Sequence, residues 1–228
     1  MKVAIIQFPG SNCDWDAEHS VQDVIGLPAG RVWHKDPLPN DAEAVIVPGG
    51  FSFGDYLRCG AIARFSPIMA DLKRFADQGG QVLGICNGFQ ILCESGLLPG
   101  ALVRNDCMEF RCLNQYLKVE DTNERFNTKI LGDHISLPIA HGEGNYRASD
   151  AVLANLEANH QVLLRYQPNP NGSINDIAGI RNQAGNVYGM MPHPERAVEV
   201  HHPCLDGLPV LKAFLNPLLQ SYSVELSA

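Results

Sequence analysis

The chain has no run approaching the roughly 20 apolar residues that a membrane span requires, so no helix is expected to cross a bilayer. Its short apolar start, Val3 to Phe8, leads into polar and acidic residues rather than a cleavage-site pattern, and no processing is expected. Basic residues are few and scattered. With 17 Lys and Arg against 25 Asp and Glu, the net charge of -8 works against a nucleic-acid partner, whose phosphates call for clustered cations. Seven cysteines make an odd number with no framework spacing, which predicts reduced thiols in a cytoplasmic setting. A phosphate loop is also missing, because Asp55 follows the glycine-rich stretch Gly49 to Gly54 where such a loop needs lysine. His201, His202 and Cys204 have no matching second ligand pair, so an exposed loop is expected there and no metal.

What the chain does have is 228 residues, 45% of them hydrophobic, enough to bury a sizeable core in one domain over 1–228. Short apolar runs alternate with stretches of helical period, the pattern of a mostly parallel sheet flanked by helices, an α/β fold. Strands are expected at Val3 to Gln7, Gly30 to Trp33, Ala44 to Val47 and Gln81 to Ile85, with helices at Asp14 to Ile25, after Ser66-Pro67, and from Asn87 to Ser95. Ser66 is expected to cap its helix, whose buried face carries Ile68, Leu72, Phe75 and Ala76. Further strands are expected at Leu113 to Val119, Ile135 to Ala140, Gln161 to Tyr166 and Val187 to Met191, then a closing helix near Leu208 to Tyr222. Asn169 to Gly172 and Asn182 to Gly185 read as turns, the second leading by hairpin into Val187.

Gly84-Ile85-Cys86-Asn87-Gly88 has the spacing of a nucleophile elbow with sulfur in place of hydroxyl. A strand that turns sharply into a helix crowds its own backbone, so side chains two positions either side of the nucleophile would collide with neighbouring elements. The same turn sets the sulfur at a helix N-terminus, where unpaired N–H groups favour thiolate. A base must come from elsewhere. His193-Pro194-Glu195 follows a strand and is stiffened by Pro192 and Pro194, so a carboxylate can fix one imidazole nitrogen while the other exchanges protons with the thiol. For the oxyanion formed on an attacked amide, the N–H of Asn87 and the turn Pro48-Gly49-Gly50 are the candidate donors.

Taken together, Pro48 to Gly50, Gly84 to Gln90 and His193 to Glu195 resemble the three signatures of class I, or triad, glutamine amidotransferases. Phe8 to Asp14, Gly49 to Arg58, Ala140 to Gly144 and Gly189 to Arg196 narrow the resemblance to the glutaminase subunits of phosphoribosylformylglycinamidine synthase. It extends over nearly the whole chain. The resemblance implies a flavodoxin-like α/β fold and a glutaminase in which Cys86 attacks the amide of glutamine, His193 handles protons and Glu195 orients it. It further implies substrate contacts from Gly50, Phe51, Asn87, Gln90, His141, Gly142 and Glu143, and no cofactor in this chain. ATP and Mg are expected on a large synthetase subunit, which would convert formylglycinamide ribonucleotide to the amidine in purine biosynthesis beside a small accessory subunit. Phe51, Phe53 and Tyr56 are candidates for that interface or for core packing. Rival readings are an amidotransferase for another acceptor, a peptidase sharing the elbow, or a silent regulatory subunit.

Overall fold

A computed structural model describes residues 1–225. The elements run β1 (Val3–Gln7), α1 (Asp14–His19, continued by a π-helical turn Ser20–Ile25), β2 (Ala29–Trp33), β3 (Ala44–Val47), α2 (Ile68–Asp77) and β4 (Gln81–Ile85). They continue with α3 (Asn87–Glu94), β5 (Ala101–Val103), β6 (Arg111–Val119), α4 (Thr128–Leu131), β7 (His134–His141), β8 (Asn145–Arg147) and α5 (Asp150–Ala158). The chain then forms β9 (Val162–Tyr166), β10 (Ile177–Arg181), β11 (Val187–Met190) and α6 (Gly207–Glu225).

Nine strands form one sheet in the order β2-β1-β3-β4-β11-β10-β9-β6-β7, and β5 pairs with β8 outside it. From β2 to β11 every pairing is parallel; from β11 to β7 every pairing is antiparallel. Only β10 and β6 run against the rest, so the sheet keeps a mostly parallel character. The parallel strands β1, β3 and β4 are buried almost end to end, which is why they read as continuous apolar runs.

Both faces are covered. Successive residues of a strand point to opposite sides, and on β11 Gly189 faces Phe89 of α3 while Tyr188 packs on Phe214 of α6 with centroids 5.9 Å apart. An added Cβ at Gly189 would fall 2.2 Å from the Phe89 ring, so glycine here lets α3 lie close on the sheet. Phe89 in turn stacks on Tyr146 at 6.1 Å, both fully buried, each such side chain contributing about 1.5–3 kcal/mol through removal from water.

Strand order reverses between β1 and β3, the doubly wound switch point outside whose strand ends ligands bind in this class of sheet. The segments after β1, β3, β4 and β11 all emerge at that edge. Ser66 departs from expectation. It precedes the helix, but its hydroxyl pairs with His34 Nδ1 at 3.0 Å rather than capping, and only its backbone carbonyl receives the N–H of Met69. The hairpin turn behaves as expected, with Asn182 Oδ1 accepting N–H groups of Gly185, Asn186 and Val187.

Candidate active site

Cys86 ends β4 with φ 50° and ψ -106°, a conformation that bulky residues rarely adopt, and α3 begins at the next residue. The flanking glycines are there for steric reasons. An added Cβ at Gly88 would lie 1.8 Å from the Val47 carbonyl oxygen, and one at Gly84 would lie 2.8 Å from the Gly88 backbone. The turn is fixed by the Cys86 N–H donating to the Met190 carbonyl at 2.7 Å, which ties the elbow to β11. The thiol approaches the Ala140 carbonyl of β7 at 3.7 Å.

Three residues beyond β11, His193 is anchored by its N–H to the Pro138 carbonyl at 2.8 Å. Its Nδ1 donates to Glu195 Oε1 at 2.6 Å, with both residues buried. Burial opposes a charge on this imidazole. The carboxylate of Glu195, the Cys86 sulfur and contacts with Cys13 and Cys86 outweigh it and hold the pKa well above the ordinary histidine value. Nε2 has no hydrogen-bond partner among the described residues. The structure thus brings together Cys86, His193 and Glu195 from residues 107 positions apart, on the neighbouring ends of β4 and β11.

Beside the sulfur, Gly50 has φ +147° and would collide with Ser11 and Asn12 if it carried a side chain. The Gly49 carbonyl accepts from Asn12 and Cys13, and the Phe51 N–H donates to the Gly10 carbonyl. Those bonds leave the Gly50 N–H without an internal acceptor. The N–H of Asn87 is likewise open as the first of α3. The side chains of Asn87 and Gln90 are already engaged: Asn87 Oδ1 accepts from Ser52 N–H, Asn87 Nδ2 donates to Gln90 Oε1, and Gln90 Nε2 donates to the Glu143 carbonyl. They clamp the wall rather than face outward.

His141 is held through Asn105. Because Asn105 Oδ1 also accepts from the Gly144 N–H, His141 Nδ1 is the donor to it at 3.2 Å, and Nε2 is left to accept from the Tyr166 hydroxyl at 3.5 Å. Burial, then the nearby charge on His193, pushes the His141 pKa down to about 4, so the ring is neutral at pH 7.

A cavity of about 200 Å³ has Phe51, Gly142 and Glu143 in its wall together with Arg104, Asp55, Met108 and Phe110. Arg104, Met108 and Phe110 belong to a segment that the sequence reading passed over. The strand signal at Leu113 to Val119 was the visible feature there, and the loop before it carries no pattern. Among the described residues the Arg104 guanidinium makes no ion pair, whereas its neighbour Arg111 pairs with Glu109. Asp55 has its pKa raised, by burial first, against a bond from Cys59, and further by the charge of Glu143. The wall therefore carries a free cation together with crowded carboxylates. A larger groove of about 510 Å³ lies between α2 and the end of α3, lined by Met69, Lys73 and Leu97, and contains none of the candidate residues.

Two remaining expectations concern the surface. His201 and His202 gather with Glu199, with ligand atoms within 4.8 Å of one another, whereas Cys204 turns to the Ser136 carbonyl at 3.0 Å and stays outside that group. Phe53 packs against Phe8 and His34, whereas Phe51 and Tyr56 are exposed. No helix among the described residues is long and apolar enough to cross a membrane.

The family model of the CobB/CobQ-like glutamine amidotransferase domain matches residues 1–206. Phosphoribosylformylglycinamidine synthase subunit PurQ of Synechococcus elongatus is 56% identical over 96% of this chain and 99% of its own length. The PurQ subunit of Salinibacter ruber is 52% identical over 94% and 96%. Among solved structures, PurLQS from Thermotoga maritima contains a chain of TM-score 0.86 and 43% identity, covering 95% of this chain and 98% of that one. A glutamine amidotransferase from Thermotoga maritima shares the fold alone, with TM-score 0.59 at 13% identity, covering 100% of this chain and 84% of that one. An elbow sulfur beside a carboxylate-held imidazole, at the strand ends of a sheet shared with these relatives, places the chain in the glutamine amidotransferase family, among the PurQ subunits of phosphoribosylformylglycinamidine synthase.

Proposed function

We propose that the whole chain acts as one glutaminase domain that releases ammonia from glutamine for a synthetase partner. The observation that carries this reading is the buried His193–Glu195 pair at 2.6 Å beside the strained Cys86 elbow. The Cys86 thiol passes its proton to His193 Nε2 as the sulfur attacks the side-chain carbonyl carbon of glutamine, and the N–H groups of Asn87 and Gly50 receive the oxyanion. Nε2 gives that proton to the departing nitrogen, the carbon–nitrogen bond breaks, ammonia leaves and a glutamyl thioester remains on Cys86. Nε2 then takes a proton from water as it attacks the thioester, and collapse returns the thiol and glutamate. Glu195 holds the ring in the tautomer that keeps Nε2 facing the sulfur.

Free glutamine is a zwitterion, and the cavity wall suits one. Arg104 takes the α-carboxylate, and Asp55 and Glu143, whose charges repel one another, take the α-ammonium group. Glutamine-bound, the cavity would leave only the amide to meet Cys86. The ammonia passes to a large synthetase subunit that binds ATP and Mg and aminates formylglycinamide ribonucleotide, with a small accessory subunit in the complex, in the cytoplasm. This chain itself needs no cofactor.

The test is Cys86→Ala in the reconstituted complex. Glutamine-dependent synthesis should fall by at least ~10³-fold while ammonia-dependent synthesis persists. Loss of both activities together, or survival of the glutamine-dependent one, would count against Cys86 as nucleophile.

A further inference from the structure

The triad has a buried neighbour that glutamine hydrolysis does not use. Cys13, in the turn between β1 and α1, is 2% exposed, and its thiol proton is held by Asn12 Oδ1 at 3.1 Å. Gly49 separates it from the imidazole by the least possible bulk: an added Cβ there would fall 2.9 Å from Cys13 Sγ and 2.8 Å from His193 Cε1.

One sulfur of Cys13, one ring nitrogen of His193 and one carboxylate oxygen of Glu195 lie within 4.8 Å of one another, all buried. Independently, Glu195 Oε2 is buried with no hydrogen-bond partner among the described residues. Bonds of about 2.3 Å to sulfur and about 2.0–2.2 Å to nitrogen and oxygen put the ligands of a tetrahedral ion roughly 3.3–3.7 Å apart. An ion entering between His193 Nδ1 and Glu195 Oε1, which lie 2.6 Å apart, parts them towards that spacing with Cys13 Sγ as the third ligand.

We propose that Cys13, His193 and Glu195 form an inhibitory site for a thiophilic divalent cation of the zinc type. The functional consequence rests on the glutaminase reading above; the binding itself does not. Sulfur and imidazole select a borderline-soft ion over Mg²⁺, which prefers an all-oxygen shell. Coordination expels the Cys13 thiol proton to solvent, and binding therefore tightens as pH rises. The ion takes the place of the Nδ1 proton between the imidazole and Glu195, so the ring's remaining proton sits on Nε2, which can then take none from the thiol or from water. It reaches the site by the path that the glutamine amide takes to Cys86, so substrate and ion compete.

The experiment titrates glutaminase turnover with chelator-buffered zinc at several glutamine concentrations. Inhibition that EDTA reverses, that added glutamine weakens and that equal Mg²⁺ does not produce is the expected result. In Cys13→Ser and Cys13→Ala the half-inhibitory zinc concentration, read against each variant's own uninhibited rate, should rise by at least ~10–100-fold. A readout without turnover is cobalt(II) binding to Cys86→Ser. One equivalent should give thiolate-to-cobalt charge-transfer absorption that disappears in the Cys13→Ser/Cys86→Ser double variant. An unchanged half-inhibitory concentration in the Cys13 variants, or a cobalt band that survives in the double variant, overturns the site. A wild-type chain that hydrolyses no glutamine yet shows the Cys13-dependent cobalt band would sink the glutaminase reading and support the ion site.

Discussion

The two halves of the sheet differ in more than strand direction. The parallel half, β2 to β11, carries the groups to which the proposed reaction is assigned: Gly50, Cys86 and His193 all follow strands that lie side by side. The antiparallel half, β10 to β7, sends none of the triad, yet through β7 and the loops around it supplies His141, Gly142, Glu143 and the segment holding Arg104. β4 is entered through α2 and left through α3, and β3 and β11 pair in parallel on either side of it, so the three strand ends are held in register. Antiparallel strands joined by loops can vary their length and side chains without disturbing that edge. On the proposed reading chemistry falls to the parallel half, and recognition is shared, with Phe51 and Asp55 after β3 facing Arg104, Gly142 and Glu143 from the other half.

The division can be tested in order of effect. Glu195→Gln, in the parallel half, should lower kcat by roughly 10²–10⁴-fold with little change in KM, because the imidazole loses its orienting charge. The same variant should alter stability against pH. A histidine whose folded pKa is raised lends stability that is complete below its ordinary value and is lost as pH climbs through the raised one. Melting temperatures of Glu195→Gln should therefore show less of that alkaline decline than the wild type, and identical curves would remove Glu195 as its cause.

Arg104→Met, on the other side, should raise KM for glutamine by roughly 10–100-fold and leave kcat within about threefold, the effect of losing one charge-assisted contact. It should also erase the preference for glutamine over 4-aminobutanamide, which has the amine but not the carboxylate. A kcat defect with KM unchanged would blur the division. The smallest effect is expected from His141→Gln. A histidine buried neutral, with a pKa of about 4, resists a proton that the unfolded chain accepts, so wild-type stability falls as pH drops from about 6.5 towards 4. The variant should flatten that stretch of the melting curve by a few degrees, and an unchanged slope would assign it to other groups.

Legibility followed the same line. β1, β3 and β4 are visible in the sequence because strands buried on both faces need apolar residues throughout, and the elbow because its glycines answer to a collision measurable at Val47. Strand β10 escaped notice. Gly179 sits at a register shift against β9, which interrupts the alternation that would mark it. Helix α5 carries a usable sign in Ser149, whose hydroxyl accepts the Val152 N–H, with Leu153 and Leu156 three apart on the buried side. Arg104 had no local sign, since its place in the cavity depends on Asn105 reaching the Glu109 and His141 carbonyls, a purely tertiary arrangement. The same holds for Cys13, whose nearness to His193 exists only once β1, β3, β4 and β11 are neighbours.

The late strand β11 lies between β4 and β10, so the middle of the sheet is filled by a strand that leaves the ribosome after both of its neighbours. Until residue 190 emerges, the Cys86 amide has no Met190 carbonyl to hold it, and the imidazole that would activate the sulfur is still to be made. On the proposed glutaminase reading, a nascent or prematurely terminated polypeptide carries an idle thiol and spills no ammonia before a folded protein exists to pass it on.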